Sequence, residues 1–316
     1  MIFGEKCVSS AKEQCRNAEM IKLGKRVKFL LNQQCESLMA KKLCLGKVVR
    51  CLPYSFVRSG EFNIKLSSDS SSCIIYGSCI LADGSILFSD RNNSTLNLID
   101  GTALNVIHHY KLRSEPWEVC CMDNNEAAVC LPYEKKILVV KVDHELSLER
   151  SIRVGFSCKG ISFHDETFYV ADSTCLYICT KDGAILKSIS RDSSGISMFS
   201  NIYNVSVCRY IKRIFVNDKL KGIASIDMDG NIQHVVSNEI EFARGLTEAD
   251  NGKVLACGYH SRNVIFLDEN GEFEKVVIKD GLYGPLALCF NCSTGRLYVP
   301  NITKYTVQIF EMGDID

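Results

Sequence analysis

The chain has 316 residues, 46% of them hydrophobic and 23% charged, the balance of an ordinary globular protein with a large core. No run of 18 apolar residues occurs, which excludes an α-helical membrane span, and the first residues, MIFGEKCVSSAKEQC, hold no apolar stretch of signal-peptide length. Lys/Arg and Asp/Glu balance at 37 each, yet residues 1–60 carry twelve Lys/Arg against four Asp/Glu, so a basic arm of net +8 precedes an acidic body of net −8, which argues against broad electrostatic capture of nucleic acid by that body. Most of the seventeen cysteines fall inside strand patterns (Cys120, Cys130, Cys208, Cys257, Cys289), where the thiol acts as a small hydrophobe. With no secretory segment in view, free thiols in a reducing, cytoplasmic compartment are the expectation.

Residues 1–45 read as a helical, coiled-coil-like segment. Val8, Ala11, Cys15 and Ala18 step by three and four, as do Leu23, Val27, Leu30 and then Leu31, Cys35, Leu38, with Lys, Arg, Gln and Glu on the other faces. Two readings stay open: the end of a coiled coil that joins two chains into a homodimer through residues 5–45, or one amphipathic helix by itself. Residues 46–60, with Pro53, read as a linker. Phe62, Ile64 and Leu66 then alternate, so Glu61–Leu66 is expected to be a strand, followed by a serine-rich turn at Ser67–Ser72.

From residue 76 onward one unit repeats. Its fullest copy is Phe242–Asp280, with strands expected at Ala243–Glu248, Lys253–Cys257, Asn263–Asp268 and Phe273–Ile278 and turn dipeptides at Asn251-Gly252 and Asn270-Gly271. The end of the second strand recurs at Asp90, Pro132, Asp172, Asp218, Gly258 and Pro300, at spacings of 42, 40, 46, 40 and 42. The turn before the fourth strand recurs at Asp100, Asp143, Asp182, Asp229 and Asn270, at spacings of 43, 39, 47 and 41. Two markers with one shared period predict an all-β, six-bladed β-propeller over residues 61–316. The last copy, Pro285–Met312, has only three strands of its own, and Glu61–Leu66 is expected to supply the fourth and close the ring.

Several copies open on a small residue followed by an aliphatic one, as in Pro116-Trp117-Glu118-Val119, Lys159-Gly160-Ile161 and Arg244-Gly245-Leu246, and end their second strand on an aromatic-to-Asp run, as in Phe88–Asp90, Tyr169–Asp172 and Phe215–Asp218. In these features the body resembles the NHL-repeat propeller. The helix and basic linker before it are similar to the layout of tripartite-motif proteins, in which a coiled coil precedes an NHL propeller. The zinc-binding RING and B-box of that family have no counterpart here: Cys7, Cys15, Cys35 and Cys44 lie 8, 20 and 9 residues apart with no His among them, against the close pairs that tetrahedral zinc needs. The resemblance implies partner recognition by the propeller, as in the substrate-recognition part of a ubiquitin ligase whose RING is missing, and RNA binding as an alternative.

No nucleophile, dinucleotide or nucleotide fingerprint occurs, and no cofactor is called for. The single C-x-x-C, Cys289 to Cys292, straddles a strand end and a turn and lacks a second pair for zinc. Six-bladed propellers also include calcium-dependent lactonases and esterases, which gather carboxylates and amides at the channel. The innermost strands, read as CILAD, WEVCC, GISFH, YNVSV, GLTEA and LALCF, offer one acid near a start, Glu118. A noncatalytic scaffold that binds a protein or peptide partner is therefore the expectation. Loops between second and third strands and between blades share one face, and recognition concentrates on loops held by a rigid scaffold. The residues expected to bind there are Arg91, Asn92, Trp117, Tyr133, Lys135, Lys159, Lys219, Arg244, Tyr259, His260, Arg262, Tyr283 and Lys304, a mixture of aromatic and cationic side chains of the kind that dominates hot spots.

Overall fold

The computed structural model describes residues 54–122, 125–143, 145–208, 211–249, 252–302 and 305–314. The helical reading of residues 1–45 with its dimer, the first part of the 46–60 linker and Lys304 lie outside them. Among the described residues no helix is long and apolar enough to cross a membrane.

The described strands form six four-stranded antiparallel sheets, the blades of a β-propeller. The chain opens with β1 (Tyr54–Asn63). Blade I holds β2 (Ile75–Ile80), β3 (Ile86–Asp90), β4 (Thr95–Ile99) and β5 (Val106–Lys111). Blade II holds β6 (Val119–Cys121), β7 (Glu126–Leu131), β8 (Lys136–Val142) and β9 (Leu146–Arg153). Blade III holds β10 (Gly160–His164), β11 (Thr167–Ala171), β12 (Leu176–Thr180) and β13 (Ile185–Ile189). Blade IV holds β14 (Ile202–Cys208), β15 (Arg213–Asp218), β16 (Gly222–Asp227) and β17 (Ile232–Val236). Blade V holds β18 (Ala243–Glu248), β19 (Val254–Gly258), β20 (Asn263–Leu267) and β21 (Phe273–Ile278). Blade VI holds β22 (Cys289–Asn291), β23 (Arg296–Pro300), β24 (Thr306–Asp314) and, outermost, β1.

The burial follows from stacking sheets face to face. The middle strands β3, β4, β19 and β20 are buried on both faces, whereas the outer β5 alternates between half-buried and exposed. Each blade interface carries its own apolar core: Phe215, Ile223, Leu246 and Ile265 between blades IV and V, for example, and Phe163, Phe168, Val139 and Ile161 between II and III. Cysteines serve as small core residues, with Cys130, Cys158 and Cys179 in one such interface. No disulfide forms among the described residues.

The closing strand differs from its sequence reading. It starts at Tyr54, inside the stretch read as linker, and ends at Asn63, before the expected end at Leu66. A bulge between Arg58 and Gly60 explains the difference, because one extra residue reverses the facing of everything beyond it. Phe56 packs into the blade V–VI core, edge-on to Phe290 at 5.9 Å, while Phe62 packs into the blade VI–I core against Tyr298. A strict period of two hides that arrangement. Beyond Asn63 the backbone N–H of Ile64 still donates to Tyr305 O at 2.8 Å, and the Asn63 side chain then accepts from Lys65 N to turn the chain away.

The six innermost strands approach one another so closely that side chains are excluded at alternate blades. The equivalent positions are Gly77, Glu118, Gly160, Asn204, Gly245 and Ala287. A Cβ on Gly77 would lie 2.5 Å from Val119 N, one on Gly160 would lie 2.9 Å from Val205 N, and one on Gly245 would lie 2.9 Å from Ala287 Cα. Each glycine thus admits the backbone of the next blade. Backbone cannot yield as a flexible side chain can, so Gly77→Ala is expected to cost about 1–3 kcal/mol in denaturant unfolding. Gly60→Ala, whose Cβ would meet nothing closer than 4.0 Å, should cost little. Equal effects of the two substitutions would contradict this packing.

Candidate functional site: the channel mouth

One position before the glycine-rich ring lies a second ring, at the end of the channel where the innermost strands begin. It consists of Tyr76, Trp117, Lys159, Tyr203, Arg244 and Leu286, one residue from each blade. Two of these residues are held by the preceding blade through the same device. Ser89 Oγ donates to Trp117 O, and Asn217 Nδ2 donates to Arg244 O at 2.8 Å. Ser89 and Asn217 each precede the aspartate that ends a second strand.

Those strand-end aspartates organise the surrounding loops. Asp90 accepts from Ile74 N and Asn93 N, and Asp172 accepts from Thr174 N and Cys175 N. Asp218 accepts from the backbone N–H groups of Ser200, Asn201, Leu220 and Lys221. Burial opposes its charge, but these donors together hold its pKa below the usual carboxylate value.

The mouth is a continuous layer of rings and cations. Trp117 meets Tyr76 edge-on at 5.2 Å and stacks on Tyr203 at 5.8 Å, 7° from parallel. Tyr203 leads to Phe242 at 5.5 Å, and Phe242 packs on Tyr259 and His260. The Arg244 guanidinium lies 3.9 Å from the Tyr203 centroid, 4.6 Å from Tyr76 and 5.4 Å from Phe242. The Lys159 ammonium sits over Trp117 and Tyr203 and donates to Ser173 Oγ at 2.8 Å. Lys219 covers Phe242 at 4.6 Å, and Arg91 covers Tyr76 at 5.2 Å while pairing with Glu115 at 2.8 Å. Burial, and then the nearby charge of Arg244, lower the pKa of Lys159.

Of the residues expected at this face, Arg91, Trp117, Lys159, Lys219, Arg244, Tyr259 and His260 enter the layer. The other described ones, Asn92, Tyr133, Lys135, Arg262 and Tyr283, stay on the rim. Tyr133 and Tyr283 are 66% and 45% exposed, and Asn92, Lys135 and Arg262 are exposed. Lys135 and Arg262 have φ of 54° and 50°, a demand of their turns. Tyr76, Tyr203 and Phe242 were missed. In the sequence the first innermost strand was read as starting at Cys79, and it starts at Ile75. Aligned in register, the six strands read YGSCI, WEVCC, KGISF, YNVSV, RGLTE and LALCF, and both rings stand in their first two columns.

Glu118 lies beneath the mouth. Its Oε2 accepts from Asn204 Nδ2 of blade IV, a reach left open by the side-chain-free Gly160 between them, and its Oε1 accepts from Val119 N. Burial pushes its pKa up to about 8; the Val119 and Ser78 N–H groups, the Arg244 charge and the Asn204 amide pull the other way. Below it a cavity of about 190 Å³ is lined by Cys79, Ser162, Ser206, Thr247, Cys289 and neighbours. Burial raises the Cys289 thiol to about 12, and the lining also holds the Glu118 and Glu248 carboxyls.

A calcium ion fits this ring poorly. It takes six to eight oxygen ligands. Of the six ring positions only Glu118 and Asn204 offer any, since the rest are glycine or alanine. Among the described residues one His/Cys/Asp/Glu group has metal-binding proximity, Asp69, Cys73 and Asp90. Its acceptors are already engaged: Asp69 Oδ2 accepts from Leu66 N and Cys73 Sγ, and Asp90 Oδ2 accepts from Asn93 Nδ2. It is a structural tie between the β1–β2 connection and blade I.

No protein-family model matches the chain, and no curated protein matches it in sequence. Among solved structures it is similar to a protein from Bacteroides thetaiotaomicron, with a TM-score of 0.64 at 11% identity over 82% of this chain and 76% of that one. It is also similar to virginiamycin B lyase from Staphylococcus aureus (0.58, 11%, 82% and 99%) and to the β-propeller domain of Cps50 (Swd1) from Myceliophteria thermophila (0.56, 10%, 77% and 84%). At such identities the likeness shows the propeller fold alone.

The buried carboxyl sets a pH dependence of stability. The pKa of Glu118 is raised on folding, from an ordinary 4.5 to about 8, so the folded state holds a proton that the unfolded state has lost between those values. Stability contributed by this group therefore falls as pH rises from about 4.5 and levels off above about 8. Glu118→Gln keeps an acceptor for Asn204 and removes the ionisation. Its melting temperature relative to the parent should climb from pH 5 to pH 8 and then stay flat. A pH-independent difference would contradict the assignment.

Proposed function

We propose that this chain is a noncatalytic scaffold that receives a protein partner on the channel-mouth face. The observation that carries the reading is the layer from Tyr76 through Trp117, Tyr203 and Phe242 to His260, with four cations set against its rings. Rings and guanidinium groups held rigid by a scaffold bring large contact area at low entropic cost, which is where binding energy concentrates. Many propellers serve as interaction scaffolds. The noncatalytic part of the reading is supported by the engagement of the mouth aspartates in turns and by the ring at Glu118 and Asn204, whose other four positions are glycine or alanine.

The finer assignment is to an NHL-like propeller of the tripartite-motif type. It rests on the strand-start and strand-end motifs, and places the chain as an adaptor or as the recognition part of a larger assembly. RNA is the alternative ligand, since interleaved cations and rings also suit single-stranded bases. The protein reading is preferred because the ring faces are already covered, Trp117 by Tyr203 and Lys159, and Phe242 by His260 and Lys219.

A photo-crosslinking residue placed at Tyr259 should capture a partner from cells that one at Glu166, in the hairpin at the other end of the channel, does not. Capture should disappear in a Lys159→Glu/Lys219→Glu variant. Capture that ignores these substitutions, or that is equal from Glu166, contradicts the reading. Bound RNA in place of protein, with affinity falling steeply as salt rises, transfers it to the alternative.

A further inference from the structure

Arg244 is 5% exposed, yet among the described residues no hydrogen bond or ion pair joins its guanidinium to an acceptor. Tyr203, Tyr76 and Phe242 satisfy its flat faces and leave its five N–H donors around the edge. A buried cation with no hydrogen-bonded or ion-paired acceptor is a costly arrangement, and nothing in the fold of the ring requires arginine there: the equivalent position is leucine in blade VI and tyrosine in blades I and IV. A second donor at the same place is also unmet. Trp117 Nε1 is buried without a partner, and Trp117, Arg244, Tyr76, Tyr203, Glu118 and Leu286 line one small cavity. The Glu118 carboxyl is turned to Asn204 and Val119 N and makes no hydrogen bond to Arg244.

The cations at this point are not matched by ion-paired acids, although Glu118 lines the same cavity and Asp172 lies near Lys159. Neither Lys159, Lys219 nor Arg244 has a carboxylate within ion-pair distance among the described residues, although Arg91 at the rim is paired with Glu115. The body as a whole is acidic, so this cationic spot is local and set against the field around it. The cavity at Arg244 has a volume of about 10 Å³, room for one water-sized group. A carboxylate is planar and presents two oxygens to a guanidinium fork, and one of them matches the size of this recess.

From these observations we infer that the mouth recognises an acidic peptide segment, one side-chain carboxylate of which seats on Arg244 and Trp117 Nε1 while neighbouring acids meet Lys159 and Lys219. The inference rests on the reading of the mouth as a partner-binding face and adds the partner's chemistry.

Trp117 is the chain's one tryptophan, so its emission reports on this site without a label. The full chain is titrated with an acetylated, amidated penta-glutamate peptide and with the penta-glutamine counterpart. Penta-glutamine with a free C-terminal carboxylate, inorganic phosphate and a single-stranded RNA oligonucleotide complete the set. Penta-glutamate should change the Trp117 emission saturably and penta-glutamine should not. Arg244→Gln should weaken binding by about tenfold or more, with Arg244→Lys between the two. Lys219→Gln, on the half-exposed rim, gives a second measure should the Arg244 variants fold poorly, and is expected to weaken binding more modestly. No saturable response to penta-glutamate overturns the inference. So does equal binding of penta-glutamine, a response to the free C-terminus alone, tighter binding of phosphate or RNA, or undiminished binding by the variants. If a partner still crosslinks at Tyr259 after such a failure, the binding face stands and only its acidic specificity falls; if neither holds, both fall.

Discussion

The antiparallel pairing of β1 with β24 joins the first described strand of the chain to the last, and the circular order of the blades depends on it. Blade VI has three strands from its own stretch of sequence. Without β1 its outer edge would expose a row of unpaired backbone groups, and the blade V–VI and VI–I cores would lose Phe56 and Phe62. The bulge at Arg58–Gly60 lets one strand serve both cores. A period-two strand would turn both rings to the same face, against one core only.

Closure fixes the spacing of the innermost strands, and that spacing generates the site. Backbones approach so closely that Gly77, Gly160 and Gly245 must be bare at alternate blades. Bare positions let Glu118 cross to Asn204, and the carboxyl so buried holds its proton to about pH 8. One residue nearer the mouth, the same crowding forces Tyr76, Trp117, Tyr203 and Arg244 into a single packed layer. The result is a rigid surface whose positive charge is concentrated at the axis while the body around it is acidic.

Much of the fold is legible in the sequence because middle strands buried on both faces, and turns that need Asp, Asn or Gly, recur with one period. Asp227 and Asp268 accept from the backbone N–H four residues on, at Asn231 and Glu272, and Gly230 and Gly271 take φ of 91° and 83° within those turns. The closing strand was displaced in the reading because a bulge breaks the alternation on which a strand is recognised. The site was legible in part. Trp117, Lys159 and Arg244 stand out as exposed residue types at strand starts. Tyr76 and Tyr203 do not, since a tyrosine in an apolar run looks like core, and Phe242 precedes its strand in a left-handed conformation, at φ 57°. Which cation covers which ring is decided by contacts between blades some 40 residues apart, and no local pattern encodes it.

The central claim is that β1 is an integral strand of blade VI and locks the ring. Native-state hydrogen exchange read on peptides spanning Tyr54–Asn63 and Thr306–Asp314 tests it directly. The account requires the amides of both segments to exchange together, at the slow rate of whole-propeller opening. Rapid exchange across Tyr54–Asn63 while Thr306–Asp314 stays protected would show a blade complete without its fourth strand, and a mouth whose geometry does not depend on closure.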